Sequence, residues 1–402
     1  MARVVRRLNY AHVILAVGFA VLFFGTGTRY VFGLVLVPMT EELDLSRSTH
    51  SSALLVFMLV SAAAMPFIGR MIDRHSIKAV MAVGAVLSAS AIALMGAVNS
   101  AWQLFAIYGL LYAVGFAATS VAPVSVLMSR WFPNNTGLAS SAAITGNGTG
   151  QLVIIALLTS FLSDIGWRRA YFILGMANAA VVIPLVLLFV RSGQALTADR
   201  PDSGVADEGS SSIREVLKAR DFWLVTIMYT VCGYIVAFAQ DRGVGDFLSG
   251  NILAFMGLAA LIGVLLSGGL ADKHGACRPT LLCFALRIGL FGYIVFMQDA
   301  VSIAAVALVY GFTFTMTAPL TVVFAGNIFG RARLGSVSGL INMVHQVAGG
   351  LGALVGALIF DATGSYTGAF VLMFAFSVLA AVSTAMIRER PYTGSLRAVP
   401  AC

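Results

Sequence analysis

Long apolar runs, separated by short polar or Gly/Pro-containing turns, recur along the whole chain and predict twelve membrane-spanning helices. In the first half the predicted spans cover residues 10–38, 50–68, 77–97, 101–129, 136–160 and 168–190. In the second half they cover residues 222–240, 247–270, 279–297, 301–328, 335–360 and 366–387. Such runs are long enough to cross a membrane, because about 20 apolar residues in a helix span a hydrocarbon core about 30 Å thick. The spans are numbered one to twelve in chain order.

A polar stretch rich in Ser, Asp and Gly separates the two sets of spans and predicts a linker. The predicted domains are residues 1–190, a linker loop of residues 191–221, and residues 222–402. Composition agrees with a membrane protein, since 59% of the 402 residues are apolar and 10% are charged. Soluble domains carry about 25% charged residues.

The distribution of Lys and Arg predicts the orientation of the chain. With the N-terminus inside, nineteen basic residues fall on the inner side and four on the outer side, namely Arg47, Arg168, Arg169 and Arg242. Inner loops of membrane proteins are enriched in Lys and Arg. We therefore expect a multi-pass protein of the cell inner membrane with both termini in the cytoplasm. The same asymmetry explains the net charge of +8 without a nucleic-acid partner.

The two halves repeat each other. Asp73 follows span two and Asp272 follows span eight, 199 residues later, each within a short loop that starts with Gly. Tyr112 and Tyr310 hold matching positions in spans four and ten, 198 residues apart. This repeat predicts an all-α fold of two six-helix bundles related by a pseudo-twofold axis, an arrangement found in transporters whose binding site lies between the halves.

The paired loops resemble the loop motif of the major facilitator superfamily and its C-terminal copy. The residues that carry this resemblance are Gly69, Arg70, Asp73, Arg74, Asp272 and Lys273. The resemblance covers almost the whole chain and implies a secondary transporter that works by alternating access. We expect these residues to form a conformational gate, in which Asp73 and Asp272 bind helix N-termini or basic partners across the inner face.

Within the superfamily, the chain resembles the bacterial branch related to monocarboxylate transporters and oxalate/formate antiporters. The closer match rests on residues 29–34, 130–133, 137–139, 150–151, 345–346 and 360–366, together with Arg287. Span eight departs from the monocarboxylate transporters, because it lacks their intramembrane Asp and Arg pair. The position that this Arg would occupy falls near Val264, which is an apolar residue.

Arg29 lies well inside span one and predicts an anion site. A charged side chain at such a depth costs at least about 2.5 kcal/mol unless water, a partner or a ligand solvates it. No Asp or Glu lies near the predicted midplane, which weakens the interpretation as a cation exporter. Arg binds carboxylates through two parallel hydrogen bonds. The alternative is an arginine that reaches the outer headgroups.

His345 is predicted near the middle of span eleven and is the candidate for proton coupling, because an unperturbed imidazole has a pKa of about 6.5. The alternative is a neutral histidine bonded to a neighbouring helix. For Arg287 in span nine we favour a structural role over a functional one. The predicted substrate-binding residues are Arg29, Tyr112, Asn147, Gln151, Tyr310, His345 and Gln346.

These features predict a secondary active transporter that moves small, monocarboxylate-like organic anions by proton symport and works as a monomer in the bilayer. Two alternatives stay open: a proton-driven exporter of drugs or metabolites, and a non-transporting membrane sensor on the same scaffold. We expect no enzyme activity, cofactor or metal, since the spans show no nucleophile–base constellation or metal-ligand spacing. The four cysteines show no paired spacing and predict no disulfide.

Overall fold

The helices of the first half follow the predicted spans one to six. A computed structural model describes residues 2–191, 213–229, 246–297, 299–330, 333–365 and 367–387. Span one is the helix Ala2–Leu34, extended by the short helix Leu36–Glu42, and spans two and three are Arg47–Arg74 and Ile77–Met95. Span four is built from Ala101–Leu104, a π-helix Phe105–Tyr112, Ala113–Ala118 and Val121–Trp131.

Spans five and six lie within Thr136–Phe189 as two helices that meet at a kink at Gly166. Gly166 has φ 73° and ψ 158°, a backbone conformation that residues with a side chain rarely adopt. The predicted loop between the two spans is therefore a single glycine bend. It reverses the chain so that span six returns across the membrane.

The helices of the second half follow the predicted spans seven to twelve over the described residues. They are Arg220–Tyr229, Asp246–His274, Cys277–Phe296, Ala300–Phe314 followed by Thr317–Phe329, Leu334–Thr363 and Thr367–Ala385. Only the first part of span seven is described, and most of the predicted linker lies outside the described residues. The described end of that linker forms a short helix, Ile213–Lys218.

Buried apolar side chains form separate cores within the halves and a larger one that joins them. One core lies in the first half and includes Phe57 and Tyr108, and another lies in the second half and includes Phe291. The joining core includes Ile72 at the end of span two and Val337 at the start of span eleven. It therefore lies at the end of the molecule that carries the paired loops, residues 69–74 and 269–274, which we call the motif end.

The prediction of no disulfide is wrong for Cys277, which is disulfide-bonded at the start of span nine. Its partner lies outside the described residues. Cys283, two turns further along the same helix, is a free and buried thiol.

Candidate functional site

Arg29 lies between two aromatic rings inside the first half. Its guanidinium carbon is 5.5 Å from the ring centre of Phe57 in span two and 5.5 Å from that of Phe116 in span four. Within the described part of the chain, no carboxylate pairs with Arg29 and no acceptor bonds it. Ring faces attract a cation but provide no hydrogen-bond acceptor. Arg29 is thus a partly buried cation whose N–H groups are available to a ligand.

An aromatic stack holds the helices on either side of Arg29. The ring of Phe57 lies 5.3 Å from that of Tyr112 and 5.4 Å from that of Phe116. The Tyr112 hydroxyl donates to the Gly25 carbonyl at 2.9 Å and lies 3.1 Å from the hydroxyl of Thr28. These contacts fasten span one to span four one turn before Arg29. Tyr112 is 1% exposed, so it acts as a support behind the arginine.

His345 lies in the second half, against span seven. Its Nδ1 atom is 2.8 Å from the Tyr229 carbonyl oxygen, and its ring stacks on that of Tyr229 at 4.1 Å. A carbonyl oxygen can only accept, so Nδ1 carries the hydrogen of the neutral imidazole and Nε2 is the atom that can take a proton. Both Arg29 and Arg287 are close enough to interact electrostatically with this imidazole.

The predicted amide residues lie on spans five and eleven. The Asn147 Oδ1 atom accepts a hydrogen bond of 2.6 Å from the Thr26 hydroxyl, which joins span five to span one beside the arginine. Gln151 is partly buried one turn further along span five. The Gln346 Nε2 atom is buried and has no hydrogen-bond partner among the described residues. A buried amide without a partner is costly, which is typical of a group that meets a ligand or water.

Tyr310 does not join Arg29. It is 1% exposed within the core of the second half, with its ring 5.6 Å from that of Phe291 and 5.7 Å from that of Phe314. The guanidinium carbon of Arg287 lies 5.5 Å from the ring centre of Tyr310. The repeat thus gives Tyr112 and Tyr310 matching positions in sequence but different neighbours. Substrate contact by Tyr310 stays a prediction without support from this geometry.

Two symmetric contacts join the halves at the motif end. The Asp73 carboxylate accepts from the backbone N–H groups of Gly335 at 2.9 Å and Ser336 at 2.7 Å, and also from the Ser336 hydroxyl. The Asp272 carboxylate accepts from those of Gly137 at 2.9 Å and Leu138 at 2.7 Å. Each aspartate therefore binds the N-terminus of a helix in the other half, where the helix dipole favours a negative charge. We call these contacts the Asp73 clamp and the Asp272 clamp.

Glycines allow the helices of each clamp to touch. A Cβ atom added to Gly69 would collide with the Gly335 carbonyl, and one added to Gly268 would collide with the Gly137 carbonyl. Small residues permit such close crossing of membrane helices. Gly268 lies 199 residues after Gly69, and Gly335 lies 198 residues after Gly137. The two crossings therefore follow the internal repeat.

The basic residues of the paired loops take no part in either clamp. Arg70, Arg74 and Lys273 are exposed. Arg130, at the end of span four, instead donates to the Ile72 carbonyl at 2.9 Å and interacts electrostatically with Asp73. Sequence reasoning used Arg130 for the resemblance but did not assign it to the gate. The sequence signal that could have assigned it to the gate is its position in the last turn of span four, just before the loop that leads to Gly137.

A brace of charged and aromatic groups holds the opposite end of the first half. Glu42 accepts from the Trp167 indole N–H at 2.6 Å and from Arg168 Nε at 2.7 Å. Arg168 also donates to the Val98 carbonyl at 2.6 Å. The hydrogen bond from Arg168 is the main reason why the pKa of Glu42 lies below its ordinary value. The brace fixes the end of the span-one extension to spans three and six.

His50 is a buried histidine that sequence reasoning overlooked, because it falls at the predicted edge of span two. It is 4% exposed, and its ring stacks on Phe32 at 3.8 Å. The other side of Phe32 meets Tyr108, with ring centres 3.7 Å apart. Phe32 lies three residues after Arg29, so this stack supports the span that carries the arginine.

Comparison with known proteins identifies the class. The model of the major facilitator superfamily matches residues 17–240 and 229–401, so the chain belongs to this family. The all-α fold with twelve spans in two six-helix bundles is thereby confirmed. Membership also makes the protein a multi-pass membrane transporter.

The relatives of this chain include a bacterial transporter and monocarboxylate transporters. The chain is 27% identical to the uncharacterized MFS-type transporter YcxA of Bacillus subtilis, over 88% of this chain and 89% of that protein. It is also 27% identical to human monocarboxylate transporter 11, over 98% of this chain and 84% of that protein. The predicted resemblance to monocarboxylate transporters is therefore confirmed.

Solved structures share the fold at low sequence identity. The fucose:proton symporter FucP of E. coli is 15% identical with a TM-score of 0.70, over 92% of this chain and 97% of that one. The human organic anion transporter MFSD10 is 14% identical with a TM-score of 0.69, over 93% of this chain and 99% of that one.

Proposed function

We propose that this protein carries small monocarboxylates together with a proton, with Arg29 as the anion-binding residue. The observation that carries the proposal is a guanidinium between two phenyl rings with no anionic partner among the described residues. The ring faces attract the cation but offer no acceptor, which leaves the N–H fork for a planar carboxylate. The likeness to monocarboxylate transporter 11 supports the same substrate class.

His345 is the proposed proton carrier, and electrostatics couples it to Arg29. Two positive charges in a region of low dielectric repel each other strongly. A carboxylate bound to Arg29 removes this repulsion, so the anion and the proton favour each other's binding. Asn147, Gln151 and Gln346 supply neutral hydrogen bonds around the pair, and Tyr112 supports Arg29 from behind.

Alternating access follows from rocking residues 1–190 against residues 222–402. We propose that the motif end faces the cytoplasm of a bacterial-type inner membrane, as the excess of Lys and Arg in the loops on that side indicates. The clamps then hold the inner side closed, which corresponds to an outward-facing state. Opening inward requires both clamps to release. Gly69, Asp73 and Asp272 form this gate, and the exposed Arg70, Arg74 and Lys273 flank it.

Uptake of radiolabelled acetate, lactate, pyruvate and benzoate into proteoliposomes with an imposed pH gradient tests the anion site. Arg29→Lys retains the charge but loses the fork, and one charge-assisted hydrogen bond is worth about 1.5–3 kcal/mol, so we expect an apparent affinity at least about tenfold weaker. Arg169→Lys is the matched control, because Arg169 is exposed. Wild-type affinity for every transported anion in Arg29→Lys and Arg29→Ala would refute the anion site.

The proton role of His345 has a separate test. His345→Gln can still donate to the Tyr229 carbonyl but cannot carry a proton. We expect uptake driven by a pH gradient to be lost, while exchange of labelled for unlabelled anion at equal pH persists. The exposed His12 gives the control variant His12→Gln. Unchanged gradient-driven uptake in His345→Gln would exclude His345 as the proton carrier.

A further inference from the structure

Spans four and ten break at matching points. The helix Ala113–Ala118 ends before Thr119 and Ser120, and the helix Ala300–Phe314 ends before Thr315 and Met316. Each break begins the same pattern, Thr-x-x-Ala-Pro, which ends at Pro123 in span four and at Pro319 in span ten. Proline has no N–H group and clashes with the preceding turn, so it interrupts the helix and leaves carbonyl groups without their usual donors.

The break in span four is satisfied by hydroxyls of its own helix. The Thr119 hydroxyl donates to the Gly115 carbonyl at 3.0 Å, and the Ser120 hydroxyl donates to the Ala117 carbonyl at 2.9 Å. Both bonds are local and carry no charge. The bend of span four is therefore stabilised by residues of that span.

The break in span ten is satisfied by an arginine of span nine. Arg287 Nη2 donates to the Thr313 carbonyl at 2.7 Å and to the Phe314 carbonyl at 3.4 Å, and Arg287 Nε donates to the Thr313 hydroxyl at 3.2 Å. Arg287 is 2% exposed, so these bonds form away from water. The cation lies at the C-terminal, negative end of the helix dipole, which offsets part of the cost of burying it.

We propose that Arg287 is a positioning residue that fixes the bend of span ten against span nine. The second half then keeps one shape as the transporter changes state. Bending is confined to span four, which is not tied in this way and also contains the π-helix Phe105–Tyr112. The burial and carbonyl bonds of Arg287 exclude it from the anion site. The proposal does not depend on which anion is carried.

Distances between spin labels test this positioning role without a substrate. One pair, Leu258→Cys and Val301→Cys, reports the start of span ten relative to span eight within the second half. The matched pair, Leu59→Cys and Trp102→Cys, lies 199 residues earlier and reports span four relative to span two. All four side chains are at least half exposed, and the native cysteines are replaced in this background.

We expect Arg287→Met to broaden and shift the distance distribution of the second-half pair and to leave that of the first-half pair unchanged. Arg287→Lys, which keeps the charge but cannot donate from two nitrogens, should give a smaller change of the same kind. Arg287→Lys also decides the question if Arg287→Met fails to fold. An unchanged second-half distribution in a folded Arg287 variant would overturn the proposal. Equal broadening of both pairs would do the same, since it indicates general loosening.

Discussion

Replacing Asp73 by Asn should shift the transporter from its state closed at the motif end toward the open one. The asparagine amide has one acceptor oxygen, so at least one of the bonds to Gly335 and Ser336 is lost and an N–H group faces another N–H group. A charge-assisted hydrogen bond is worth about 1.5–3 kcal/mol, and the charge at a helix N-terminus about 0.3–1 kcal/mol more. The open population should therefore rise between about twentyfold and about nine hundredfold.

The assay uses Ser338→Cys, which replaces a side chain that is 1% exposed at the start of span eleven. A hydrophilic maleimide should react with this cysteine only when the halves part at the motif end, so the labelling rate follows the open population. Asp272→Asn should raise the rate less than Asp73→Asn, because Asp73 also loses its interaction with Arg130. The exposed Asp164 gives the control Asp164→Asn. A labelling rate in Asp73→Asn equal to that of the control would refute the closing role of the clamp.

Two further predictions concern the opposite ends of the first half. Gly69→Ala should lower the transport rate several-fold and lower the thermal stability, because overpacking costs about 1–3 kcal/mol and the new methyl group meets the Gly335 carbonyl. Gly33→Ala, where an added Cβ atom has no neighbour within 4 Å, should change neither; equal effects would contradict the crossing argument. Because the pKa of Glu42 is lowered in the folded protein, the brace contributes stability above the ordinary pKa of 4.5, and that stability is lost as the pH falls through the lowered value. Melting temperatures of Glu42→Gln should therefore fall less than those of wild type in this acid range, and parallel curves would show that the brace does not couple to pH.

Much of the architecture could be predicted because it depends on local patterns. Apolar runs predict the spans, and the internal repeat pairs Asp73 with Asp272. Both signals can be read without knowing which helices touch. The helix N-termini that these aspartates bind were among the partners that the sequence suggested.

The surroundings of Arg29 could not be predicted in the same way. Phe57 and Phe116 come from two other spans and reach Arg29 only through the packing of the bundle. Tyr310 shows the limit of repeat arguments, because Arg287 has no counterpart in span three and gives that tyrosine a different neighbour. Side-chain packing between distant segments leaves no periodic signal in a single sequence.

The clamps have a consequence for how substitutions are tolerated. Each aspartate bonds to main-chain amides, which every residue except proline possesses. Leu138 can therefore vary widely while its contact persists, whereas Asp272 cannot. A saturation scan should find Leu138 permissive and Asp272 strongly constrained within the same contact. Gly137 should be constrained for a different reason, because a Cβ atom added there would meet the Gly268 carbonyl oxygen and the Asp272 carboxylate.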